Sequence, residues 1–121
     1  MIEKEQMLHF LKTFNTCTPL FIALGDKYRQ QLVLDIIDAG KDGINVTNLA
    51  GKSKLSRPAI SHHLKILKDA EIIYPEKTGT QIFYKVNVNE KLNILRNLID
   101  SVQVVVNRLE KFGEDDNSPE K

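Results

Sequence analysis

Between Lys52 and Lys68 the chain carries five cations, Lys52, Lys54, Arg57, Lys65 and Lys68, and no carboxylate. Cations this close together suit a polyanion. Ammonium groups act as point charges on phosphates, and the Arg57 fork matches the two acceptors on a guanine edge. A charge run by itself is more often a solvated face. His62 and His63 are adjacent, and neighbours on a helix diverge by about 100° and do not chelate one ion. The same divergence denies Ser61 and His62 a nucleophile–base geometry. His9 stands alone and reads as a surface or interface residue. Cys17 is the single cysteine, which rules out an intrachain disulfide and a cysteine-based metal cage. It reads as a buried or interface residue, with a single-thiol switch or a bridge between two copies as the alternative. No paired carboxylates or Gly-rich phosphate loop appear, so an enzyme is the weakest reading and neither metal nor cofactor is expected.

The elements that position these groups are mostly helical. Residues 3–16 place Met7, Phe10, Leu11 and Phe14 at helical spacing. Pro19 is expected to open a second short helix. Residues 27–39 carry Tyr28, Leu32, Val33, Ile36 and Ile37 on one face, and Gly40 suits the end. After a turn at 41–43, Thr47 is the expected N-cap of a short helix, and Ser56 caps another with Pro58 in its first turn. The period then changes to two. Residues 72–77 and 82–87, joined by TGTQ, read as a β-hairpin, with Pro75 marking an edge strand. A last helix is expected from about Glu90 to Phe112, and the polar tail 113–121 is expected to be disordered.

Charge and composition restrict the class. The 121 residues make one domain's worth of chain, 41% apolar and 27% charged. The net charge of +1 hides an asymmetry, because residues 110–121 hold five acids against two bases. The longest apolar run is six residues (19–24), too short for a membrane span, and the N-terminus lacks a hydrophobic signal core. A reduced, cytoplasmic protein is the default.

Two short helices joined by a tight turn, the second one basic, form a helix-turn-helix, and the hairpin behind them makes it winged. If Ile60, Leu64 and Leu67 face inward, Arg57, Ser61, His62, Lys65 and Lys68 lie on the outer face. That face and the helix start, Ser56, Arg57 and Ala59, are the parts that enter a major groove. Lys77, Thr78, Thr80 and Gln81 on the hairpin tip would reach the DNA backbone or the minor groove. His63 is expected to pack between helix and wing.

The string LSRPAISHHLKILKDAEII (55–73) resembles the recognition helix of the ArsR/SmtB family of winged-helix repressors. Leu55, Ser56, Ile60, Ser61, His62, His63, Leu64 and Leu67 match the family core. LGDKYRQQLVLDI (24–36) and TGTQIFYKV (78–86) are similar to the flanking segment and the wing. The resemblance implies a mainly α winged helix-turn-helix with a small β-hairpin over residues 1–112. It also implies a homodimer on double-stranded DNA, paired through the N- and C-terminal helices. The interface would then draw on Phe10, Phe14, Leu95, Leu98, Ile99, Val102, Val105, Val106 and Leu109. The apolar stripe on 92–112 supports this on its own, since a lone wing domain has nothing to cover it. Three residues depart from the family pattern. Glu71 stands where relatives have Gly, at a cost of roughly 1 kcal/mol if the backbone there is left-handed. Lys54 stands in the turn where Gly is common, and Arg57 stands where Gln is usual, which changes the preferred base. The family's two metal zones hold no cysteine pair (44–50) and no histidine (89–112) here. A small-molecule effector is compatible with this reading. The rival is a winged helix that binds an acidic protein partner rather than DNA.

Overall fold

Side-chain caps decide where three of the helices begin. Oδ1 of Asp26 accepts from the backbone N–H of Tyr28 at 2.8 Å and of Arg29 at 3.1 Å. Asn45 accepts from Asn48 N–H at 2.8 Å, and Ser56 from Ala59 N–H at 3.3 Å. In the computed structural model, which describes residues 2–115, the order is α1 (Lys4–Leu24), α2 (Lys27–Asp38), α3 (Val46–Lys52), α4 (Arg57–Asp69), β1 (Ile73–Thr78), β2 (Gln81–Val86) and α5 (Val88–Asp115). Among the described residues no helix is long and apolar enough to cross a membrane.

Four local expectations need correction. Pro19 lies inside α1 and opens no new helix. Just before it, threonine hydroxyls bond backbone carbonyls of the preceding turn, Thr16 to Lys12 and Thr18 to Phe14. Asn45 caps α3, and Thr47 sits in the first turn. The Asn45 amide also donates to Gln81 Oε1 at 3.2 Å, a link to the wing that a threonine hydroxyl is too short to make. The hairpin turn is two residues, with Thr78 opposite Gln81 and Gly79 at φ 64°. Lastly, α5 runs on to Asp115, so residues 113–115 are helical. The rest of the expected tail lies outside the described residues.

Two compact units emerge, divided at Thr18/Pro19 and again at Lys91/Leu92. In the unit of residues 19–91, α2, α3, α4 and the hairpin surround a core of Leu32, Ile36, Ile44, Leu49, Ile60, Leu64, Leu67 and Ile73. Each such side chain contributes about 1.5–3 kcal/mol by leaving water. Pro75 stands opposite Tyr84 in the register. Tyr84 turns its N–H and C=O the other way, to Ile44, at 2.9 and 3.2 Å. The ladder therefore never needs the N–H that Pro75 lacks. Gly43 permits this bridge, because a Cβ there would stand 2.5 Å from Tyr84 O. Where α4 ends, Glu71 has φ 60°. Its N–H bonds Lys68 O, and Ile72 N–H bonds Leu67 O, a left-handed closure that glycine normally makes.

The other unit joins the first half of α1 to α5. Cys17 is buried, and its thiol donates to Ile94 O at 3.6 Å. Leu98 and Ser101 are also buried. Phe10 and Phe14 stack with ring centroids 4.8 Å apart. Met7, Leu8, Leu11, Ile99, Val104 and Leu109 remain exposed.

Candidate nucleic-acid interface

The turn between α3 and α4 is built from Ser53 and Ser56. Ser53 Oγ accepts from Leu55 N–H at 3.0 Å, which bends the chain just before Ser56 starts α4. Ile60, Leu64 and Leu67 anchor α4 in the core. Helical geometry then sends Arg57, Ser61, His62, Lys65 and Lys68 outward, and all five are exposed, as is Ser56. Ala59 is half-buried, so its contribution to the outer surface is small. At the hairpin tip Lys77, Thr78, Thr80 and Gln81 are exposed. The structure thus presents the helix face and the wing tip as the sequence places them.

Charge on this surface is uneven. Among the described residues Arg57 and Lys77 make no ion pair, so their donors are available. Lys65 is bound to Asp69 at 2.8 Å. That hydrogen bond holds the Lys65 ammonium above the usual lysine range and the Asp69 carboxyl below the usual carboxylate range. Both are exposed, so a phosphate can compete for Lys65.

His63 is the correction in this region. It packs on the start of α2, and among the described residues no hydrogen bond, ion pair or ring contact ties it to the wing. Its ring stacks on Tyr28 with centroids 6.2 Å apart, and Nδ1 lies 3.2 Å from Arg29 Nη1. Arg29 was not legible as a partner, since 34 residues separate it from His63. Gly43 lies in the expected turn, but its close approach to Tyr84 leaves no local signal, whereas Asn45, two residues before Thr47, is legible as a capping residue type.

In the α1–α5 unit, His9, Glu5 and Asp100 line one cleft of about 360 Å³. Sequence spacing did not bring these residues together. Among the described residues no group of three or more His, Cys, Asp or Glu is arranged to hold a metal ion. Burial pushes the Cys17 thiol up, away from the reactive thiolate.

Residues 45–74, which are α3, the turn, α4 and the start of the wing, match the profile described as bacterial regulatory protein, arsR family. The transcriptional repressor SdpR of Bacillus subtilis is 33% identical over 84 residues, covering 67% of this chain and 90% of that protein. The arsenical resistance operon repressor of the same organism is 33% identical over 75 residues, covering 62% of this chain and 70% of its own length. Among solved structures, an ArsR-like transcriptional regulator from Rhodococcus sp. RHA1 superposes with a TM-score of 0.73 at 25% identity, over 85% of this chain and 94% of that one. Identity at one position in three along nine-tenths of a relative, on a winged helix-turn-helix, means that the chain belongs to the ArsR family of bacterial transcriptional regulators.

Proposed function

We propose that this regulator is a sequence-specific repressor that binds a palindromic duplex operator as a cytoplasmic homodimer, without catalytic activity. The observation that carries the reading is the capped start and exposed cationic face of α4, anchored by a core on one side and open on the other. Arg57 at that start reads a base. Lys65 and Lys68 further along meet phosphates, Ser56, Ser61 and His62 add polar contacts, and Lys77, Thr78, Thr80 and Gln81 extend the contact from the wing. Two relatives carry the name repressor, which supports the direction of control.

Exposed apolar residues on α1 and α5 support pairing of two copies. Residues 1–112 then serve both dimerisation and DNA binding. Two-fold symmetry sets the recognition helices about 34–36 Å apart, one turn of duplex. Selection of bound duplexes from a random pool tests this directly. The expected product is an inverted repeat with half-sites spaced by about 10–10.5 base pairs, bound with a steep loss of affinity as salt rises. A pool that shows no enrichment would point instead to a winged helix that docks an acidic protein.

A further inference from the structure

Carbonyls in the last turn of α1 have no partner inside their own helix. Arg29 supplies one from α2. Its Nε donates to Ala23 O at 2.6 Å and its Nη2 to Ile22 O at 3.2 Å. With both carbonyls bound, the guanidinium is fixed in place, and its side chain is only 12% exposed. Its remaining arm, Nη1, reaches Nδ1 of His63 in the middle of α4 at 3.2 Å. A guanidinium holds only donors. Nδ1 can meet that donor only as an acceptor, in the tautomer that carries its proton on Nε2. The Tyr28 ring, stacked on His63, holds the imidazole plane in register with the fork.

We propose that Arg29 and His63 form the joint that sets the recognition helix for DNA, and that a proton on Nδ1 opens it. Resting on the DNA-binding reading, this gives the operator contact a pH dependence. A proton on Nδ1 removes the acceptor and places a cation against the guanidinium. Of the charged groups facing His63, Arg29 and Lys27 oppose such a proton and the Asp26 carboxylate attracts it. From α2 come Arg29, Lys27 over the Tyr28 ring at 5.2 Å, and Asp26, which is 4.0 Å from Arg29. The Asp26 carboxylate is already committed to capping α2, and the N–H groups of Arg29 and Tyr28 keep it below the usual carboxylate range. It therefore stays ionised across the interval in which imidazoles ordinarily titrate, and its charge does not change there. On α4 itself the neighbour is His62, with ring centroids 5.7 Å apart. Among the described residues no hydrogen bond or ion pair reaches His63 from α3 or the hairpin.

His62 faces outward, and its own protonation adds a cation beside phosphates, which strengthens binding in acid. The test must cancel that effect. His63→Asn keeps an acceptor near the Nδ1 position and cannot titrate, whereas His63→Phe keeps a ring and removes the acceptor. Affinity for a duplex selected from the random pool is measured by anisotropy at constant salt between about pH 5.5 and 7.5. The ratio of wild-type to His63→Asn affinity is expected to fall about tenfold on acidification, and His63→Phe to bind about tenfold more weakly than wild type at the upper pH. Ring nitrogen NMR at the upper pH is expected to show the proton of His63 on Nε2. A flat ratio, a His63→Phe that binds like wild type, or a proton on Nδ1 overturns the proposal. If His63→Phe does not fold, the ratio and the ring nitrogens still decide. If wild type enriches no duplex, the DNA reading fails separately. The joint is then judged by ring nitrogens and by amide exchange along α4, whose protection relative to the intrinsic exchange rate must fall in wild type, and not in His63→Asn, as the pH falls.

Discussion

In the unit of residues 19–91, Leu32, Ile36, Leu49, Ile60, Leu64, Leu67 and Ile73 meet one another and leave water almost completely, while Leu34 and Ile37 on the outside of α2 stay exposed. In the unit of residues 2–18 and 92–115, residues of the same kind and spacing stay wet: Leu11 is 58% exposed, Ile99 62% and Leu109 58%. The first unit has several elements that surround a point. The second is essentially a pair of helices, and two rods in contact leave their outer faces bare. Apolar periodicity in a sequence therefore says that a face will be covered, not which chain covers it. Here the helix-turn-helix completes itself, and the helical pair leaves bare the faces that the proposed second copy would cover.

The sharpest way to break this contrast is to damage each side in turn. Leu64→Ala empties a site in the closed core and should lower stability by about 2–5 kcal/mol, read by urea denaturation. A loss below about 1 kcal/mol would mean that this core is less tightly closed than its burial shows. Ile99→Asp should act in the opposite way. An exposed carboxylate leaves the single chain folded, but buried and unpaired between two chains it costs several kcal/mol. Sedimentation should show half the wild-type mass, and operator affinity should drop about a hundredfold as the link between half-sites is lost. Unchanged mass would remove the paired-helix reading.

Arg57→Ala sharpens the comparison from the surface of the closed unit. Among the described residues its side chain makes no hydrogen bond or ion pair, so stability should be unaffected. Binding should weaken by about 1–3 kcal/mol and preference should relax at one position per half-site. Equal losses on selected and scrambled duplexes would reduce Arg57 to a phosphate contact. The smallest effect should be a gain. Glu71→Gly relieves a left-handed backbone at φ 60° but gives up the ion pair with Lys91 at 3.0 Å. The net stabilisation should be roughly 0.5 kcal/mol in urea, since an ion pair exposed at Glu71 but largely covered at Lys91 offsets part of the backbone term. A loss of stability would show that the ion pair outweighs the strain.

The sequence by itself determined the local elements and the outward face of α4. Ser56 with Pro58 marks a helix start, Gly40 an end, and a spacing of three and four residues at Ile60, Leu64 and Leu67 turns Arg57, Ser61, His62, Lys65 and Lys68 outward by geometry alone. Glu71 was legible too, as a non-glycine at a position that resembles a glycine site. Those signals lie within one or two helical turns, where bond geometry and capping dominate. What the tertiary structure decided lies between elements far apart in the chain. It carried α1 through Pro19 without a break and chose Asn45 over Thr47 as a cap, because the Asn45 amide also meets Gln81. It required Gly43 where Tyr84 approaches. It also turned His63 from the wing to Arg29. A pair 34 residues apart leaves no periodic trace, because it depends on two helices crossing at one depth, and only the packed core sets that depth.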